Sequence, residues 1–344
     1  MKIKSLQTLS SLLLLCLFSV ASACCAEKSP EWRLHQFSDK PSLRSSAIKD
    51  GVIWVAGTKG AIYKSLDKGQ NWLNVSLKGQ PGVDIRDIHA FNKNTVILMS
   101  VGEGNNSKLY TTTDAGANWH VLYQNTDEKG FFDSIDFWDN KNGLLLGDPV
   151  DGNYVIERTT DGGKNWIRIK QDYLPKILKN EAAFAASGNT LIAKADGKAW
   201  YTTGGFSASI VSSTDFGETW IRQTIPLHDK TQTAGGYGIA MNNQSEVFVV
   251  GGDYLERDGN YNNAVVMDTQ GNWVNAATGN KGLRTAMVCV KATCIITGKL
   301  GSDISYDNGH SWQAFHTQGF YTLATENNTI IAAGTDGQVG IINF

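Results

Sequence analysis

The sequence predicts an all-β protein, a seven-bladed β-propeller whose last blade is closed by the N-terminal strand. Three observations carry that expectation. An eight-residue motif, Ser/Thr-x-Asp-x-Gly-x-x-Trp, returns along almost the whole chain. Its successive Asp positions lie 47, 47, 54, 53 and 39 residues apart, the spacing of a four-stranded blade rather than of a solenoid turn. The two ends of the chain each read as part of one unfinished repeat.

The motif explains itself locally. Complete copies occupy residues 65–72, 112–119, 159–166, 213–220 and 305–312, and a worn copy runs from Asp268 to Trp273 with its glycine displaced to Gly271. An Asp carboxylate accepts hydrogen bonds from backbone N–H groups inside a tight turn, and the Gly takes the positive φ that such a turn needs. The Ser or Thr ends one strand and the Trp opens the next. Asp67, Asp114, Asp161, Asp215 and Asp307 are therefore read as structural staples of hairpins, not as catalysts.

From the start of the chain, residues 1–26 read as a signal peptide. Lys2 and Lys4 precede an apolar core from Leu9 to Val20, followed by the small-residue site Ala21-Ser22-Ala23. Cleavage there leaves Cys24 first, where a lipid anchor is the alternative to simple secretion; Ala21 stands where a lipobox usually has Leu. The expected product is exported, periplasmic or extracellular, with residues 27–344 forming one propeller and acting as a monomer.

The formal net charge of −2 offers no basic surplus for phosphates, which excludes nucleic acid as a partner. Only 6 Pro against 36 Gly suits many short strands and turns. β-Branched runs such as Val52-Ile53-Trp54-Val55 and Val96-Ile97-Leu98-Met99 supply the strands, and helix-period stretches are scarce. Beyond the leader and its cleavage site only Cys289 and Cys294 remain, flanking a four-residue turn, and an oxidising compartment favours a disulfide between them.

The termini fix the blade number. Ala333-Gly334-Thr335-Asp336-Gly337 repeats Ala56-Gly57-Thr58-Lys59-Gly60, and the chain then stops one strand short of a blade. Trp32-Arg33-Leu34-His35-Gln36-Phe37 resembles the strand after a staple, such as Trp72-Leu73-Asn74-Val75. Joining the two completes blade seven and leaves no open edge.

These repeats resemble the Asp-box, or bacterial neuraminidase, repeat of the sialidase-like superfamily. The chain as a whole resembles the photosystem II stability/assembly factor-like propellers. The likeness extends to residues 131–149, from Phe131-Phe132-Asp133 through Gly147-Asp148-Pro149, to residues 181–188, to Thr203-Gly204-Gly205 and to Gly251-Gly252-Asp253-Tyr254. It implies a non-catalytic assembly or binding role, although no residue points to a thylakoid.

First strands line a propeller's channel, so the residues that begin them share an axis. Alignment by register gives Arg44, Arg86, Asp133 and Glu181 for the first four blades, then Tyr237, Arg284 and Tyr321. Such a ring suits an anionic or carboxylate-bearing ligand. Loops carrying Asp148 and Asp151, Gly204 and Gly205, and Asp253 and Tyr254 should rim the same mouth.

Two functions fit this ring. One is an exported, non-catalytic binding or assembly factor that recognises an extracytoplasmic protein or peptide, or an anionic small ligand. The other is a sialidase-like glycoside hydrolase, for which the resemblance would make Arg44, Arg86 and Arg284 the carboxylate triad. Tyr237 or Tyr321 would then be the nucleophile, Glu181 its partner and Asp133 the acid/base. Against it, Leu43-Arg44-Ser45-Ser46 lacks the Pro expected after the first Arg, and sialidases have six blades. No Gly-x-Gly-x-x-Gly or Gly-x-Ser-x-Gly occurs, and the six His lack metal-ligand spacing, so no cofactor or metal is expected. The acidic stretch Asp253, Glu256, Asp258 and Asn260 has the oxygen ligands for calcium, but its spacing does not match an EF-hand, and a solvated loop is the favoured reading over a calcium site.

Overall fold

In a computed structural model, which describes residues 30–276 and 278–344, strands build the architecture that the repeats imply. Among the described residues they pair into seven antiparallel sheets of four strands. Blades one to six span residues 43–74, 84–124, 132–168, 191–224, 234–275 and 286–316. Blade seven takes three strands from residues 322–343, and Arg33–Gln36 adds the fourth, in register from Arg33 opposite Ile341 to Gln36 opposite Gln338. The leader and Cys24 lie outside the described residues. No helix among the described residues is long and apolar enough to cross a membrane.

Second strands are buried on both faces, which is why they read as unbroken apolar runs; every residue of Val52–Gly57 is buried. Their side chains fill seams between neighbouring blades. Trp54 and Ala56 of blade one pack with Ile85, Leu98 and Tyr110 of blade two, and the seam between blades seven and one joins Ile331 and Ile341 to Val55 and Tyr63. Each large aliphatic side chain among them, such as Ile85 or Leu98, contributes about 1.5–3 kcal/mol by leaving water. These seams hold the ring closed without any covalent link.

The staple turns work as the motif requires and add a part that the pattern missed. In the third copy the Thr159 hydroxyl donates to Asp161 Oδ1 at 2.9 Å and accepts the Gly163 N–H at 2.9 Å. The Asn165 N–H donates to Asp161 Oδ1 at 3.0 Å, and its side-chain amide donates to Oδ2 at 2.7 Å. The residue before the Trp plays that second role throughout. It is Asn71, Asn118 and Asn272 in other copies, and a hydroxyl, Thr219 or Ser311, in two more.

The turn glycines also seat each blade against the one before. A Cβ at Gly69 would lie 2.1 Å from Ile341 Cδ1 of blade seven, and one at Gly217 would lie 3.1 Å from Leu144 and Trp138 of blade three. Cys289 and Cys294 face each other across the blade-six hairpin and form a disulfide.

Candidate functional site

The mouth is made by a bulge repeated at the start of the inner strands. In blades one, two, three and five the pairing of first and second strands skips one residue: Arg44, Arg86, Asp133 and Tyr237 respectively. A bulge re-aims the unpaired residue and bends the strand. All four line one cavity of about 450 Å³, as does Tyr321 at the start of blade seven. Five of the seven expected ring residues therefore converge.

Glu181 and Arg284 do not, and each misses by one position. The glycine that ends the second strand marks the register. A Cβ on Gly57 would meet the carbonyl of Ser42, two residues before Arg44, and one on Gly251 would meet that of Gly235, two before Tyr237. In blade six Gly298 meets the carbonyl of Leu283, so the ring position is Thr285. In blade four Ala182 bridges Gly204 as Leu43 pairs with Gly57, so the position is Ala183. Both Thr285 and Ala183 line the cavity. A slip of one residue turns a side chain to the other face of a strand. Apolar-Arg in Leu283-Arg284 imitates Leu43-Arg44 and Ile85-Arg86, and that imitation misled the alignment.

The displaced pair have structural work. Arg284 is wholly buried, 3.3 Å from an equally buried Asp303, and donates to the carbonyls of Gly301 and Lys281 at 3.2 Å. Glu181 accepts from Arg222 at 2.8 Å, from the Thr203 hydroxyl at 2.7 Å and from the Leu178 N–H at 2.7 Å. With Glu181 locked there, and the Tyr237 hydroxyl donating to the Thr233 carbonyl at 2.6 Å, the nucleophile–partner pair of a sialidase does not assemble. Arg284 drops out of the expected three-Arg cluster, and Arg257 joins Arg44 and Arg86 in the cavity instead.

Blade four also departs from the repeat. Its inner strand is reduced to Leu191–Ala193, and the stretch before it crosses the bore. The Ala183 N–H donates to Asp148 of blade three at 3.2 Å, and the Ala185 carbonyl accepts from Arg86 of blade two at 2.6 Å. Phe184 stacks on Tyr237 of blade five with centroids 4.5 Å apart, and the Ser187 hydroxyl donates to the Thr285 carbonyl of blade six. This strap floors the mouth and makes a channel into a cup.

The charges in the cup are unequal. Arg86 is occupied, by Asp84 at 2.8 Å and by the strap. Arg44 lies 3.9 Å above the Tyr321 ring, worth about 0.5–2 kcal/mol, and its Nε donates to the Ser42 hydroxyl at 3.0 Å. No acceptor among the described residues meets its Nη groups. Burial, and then the nearby Arg86, pull its guanidinium below the ordinary value; Arg257 acts in the same direction. An anion placed there relieves an under-compensated cation. Burial pushes the carboxyl of Asp133 well up, aided by Asp148 and opposed by the Ala185 N–H, and burial raises Asp148 to about 6.

The rim loops divide. Asp148 and Tyr254 line the cavity, whereas Asp151 pairs with Lys129 at 2.7 Å in solvent. Gly204 and Gly205 join blade four to blade five by backbone bonds to Ala182 and Ala234, with no part in the lining. Asp253, expected in a solvated loop, is buried and ties Thr231, Thr233 and the N–H groups of Leu255 and Glu256 together. One ligand atom each from His228, Asp253 and Glu256 lies within 4.8 Å of the others. Sequence reasoning missed the lining residues Phe131, Phe184, Arg257 and Lys299. Lys299 sits in the blade-six turn between second and third strands, the same loop class that was read as rim in blades three to five.

A model of the DUF6242 beta propeller domain matches residues 19–267. No curated protein matches the chain in sequence. Among solved structures, YCF48 bound to a D1 peptide is similar with a TM-score of 0.64 at 15% identity, over 91% of this chain and 97% of its own. A catalytically inactive virginiamycin B lyase from Staphylococcus aureus, with quinupristin, gives 0.66 at 16% identity, over 91% and 100%. A GH74 enzyme from Niastella koreensis gives 0.60 at 12% identity over 87% of this chain, which spans about half of that protein. At these identities the shared property is the fold, which carries binding and catalysis alike.

Proposed function

The chain belongs to the DUF6242 beta propeller family, and we propose that it is an exported binding or assembly factor whose mouth takes a carboxylate-bearing group of a protein or peptide. The observation that carries this reading is Arg44: a partly buried guanidinium in a floored cup, with two Nη groups that meet no acceptor among the described residues. A carboxylate fits it bidentately, and a hydrogen bond to such a charged group contributes about 1.5–3 kcal/mol. Arg257 and Lys299 extend the positive field towards the rim, and Tyr321 and Tyr254 supply aromatic walls. The similar propeller YCF48 has been solved with a D1 peptide, which supports a peptide as the kind of partner. Export rests on residues 1–26, with a lipid anchor at Cys24 as its variant, and the propeller acts as a monomer.

The test is a pull-down from an envelope fraction with wild type and Arg44→Ala. The reading expects at least one partner to be captured by wild type and lost by the variant. An unchanged partner list would remove the mouth as the binding surface.

A further inference from the structure

Asp133 is the anomaly of the cup. It is 1% exposed, sits on a ring bulge, and among the described residues neither carboxyl oxygen meets a donor at good hydrogen-bonding geometry, the Ala185 N–H alone acting on it more loosely. Buried polar groups are almost always paired, and one left unpaired by the chain calls for a partner from outside it. Beside it, Asp148 also lines the cavity; its Oδ1 takes the Ala183 N–H, and its Oδ2 meets no donor among the described residues. Two carboxyls thus share a 450 Å³ cavity with the open guanidinium of Arg44, two blades away round the ring. Phe131 and the stacked Phe184 and Tyr237 provide apolar wall between the poles.

An anion alone satisfies Arg44 and leaves the carboxyls unpaired. A metal ion alone would face Arg44 and Arg86. A ligand carrying both charges answers both demands with no net charge brought into the cup.

We propose that the mouth recognises a zwitterionic end group, with its carboxylate on Arg44 and an ammonium on Asp148 backed by Asp133, joined by an apolar stem. A C-terminal lysine is such a group. This inference rests on the carboxylate-binding reading above and adds the second pole.

Calorimetric titration of three acetylated tetrapeptides tests it. They end in lysine with a free acid, in norleucine with a free acid, and in lysine amide. Wild type should bind the lysine acid at least about tenfold more tightly than the norleucine acid, the gain expected of one charge-assisted contact. Asp148→Asn should bring lysine down to the norleucine level and leave norleucine unchanged. Arg44→Ala should weaken both acids. Equal wild-type affinity for lysine and norleucine, or a lysine preference that survives Asp148→Asn, overturns the second pole while leaving the carboxylate reading in place. Failure of the lysine acid to bind better than the lysine amide overturns the carboxylate reading, and this inference with it.

Discussion

The two faces of the disc are built on opposite rules. On the turn face, five complete staples repeat the same bonds between a hydroxyl, an Asp and the residue before the Trp, and each turn is solved within eight residues. On the mouth face the blades diverge: the ring reads Arg, Arg, Asp, Ala, Tyr, Thr, Tyr, and one blade gives up most of its inner strand to a strap across the bore. Repetition keeps the scaffold; its breakdown on one face is where the proposed binding site lies. The arginines condense the contrast. Arg284 belongs to the scaffold, and Arg44 to the mouth.

Exchanging those roles is the largest expected effect. Arg284→Ala leaves Asp303 buried without its counter-charge, with only Asn280 still donating to it, and should cost about 3–5 kcal/mol in denaturant unfolding. Arg44→Ala should barely move the same curve and should instead abolish partner capture. Equal stability losses in the two variants would break the distinction.

The Cys289–Cys294 bridge ranks next. It closes a hairpin that is already paired, so Cys289→Ser with Cys294→Ser should cost about 2 kcal/mol and leave binding unchanged. Loss of binding would mean that blade six transmits strain to the mouth.

The faces should also titrate with opposite sign. The side chains of Asn118 and Asn165, then their backbone N–H groups, hold Asp114 and Asp161 down to about 2. Their contribution is complete above the unfolded value of about 4 and is lost as pH falls towards about 2. Asp133 and Asp148 are raised by burial, so the folded state retains protons that the unfolded state has released. Stability therefore falls as pH rises from about 4, through about 6 for Asp148 and beyond for Asp133. Melting temperatures between pH 3 and 8 should show a smaller alkaline decline in Asp133→Asn than in wild type. An identical decline would mean that Asp133 is not held protonated.

Asn165→Ala is the smallest change, about 0.5 kcal/mol for one exposed bond to Asp161, read from the unfolding midpoint. An effect several times larger would make the staples stronger than local turns.

The same contrast decides what could be read from the chain. The staples, the blade number and the closure by Arg33–Gln36 were legible because each is fixed by neighbours in sequence or by a repeated spacing. Arg44, Arg86, Asp133, Tyr237 and Tyr321 were legible because the repeat carries register to the start of each first strand. Glu181 and Arg284 were not, because the register there depends on which glycine faces which carbonyl across the hairpin. The strap was invisible for the same reason: its partners on Arg86, Asp148 and Thr285 are 35 to 99 residues away.

The most direct measurement follows the Nε–Hε NMR signals of Arg44 and Arg284 while a peptide with a free C-terminal carboxylate is added. Arg44 should shift on binding, Arg284 should stay fixed, and the amidated peptide should move neither. A shift of Arg284 with Arg44 unmoved would contradict the assignment of the mouth.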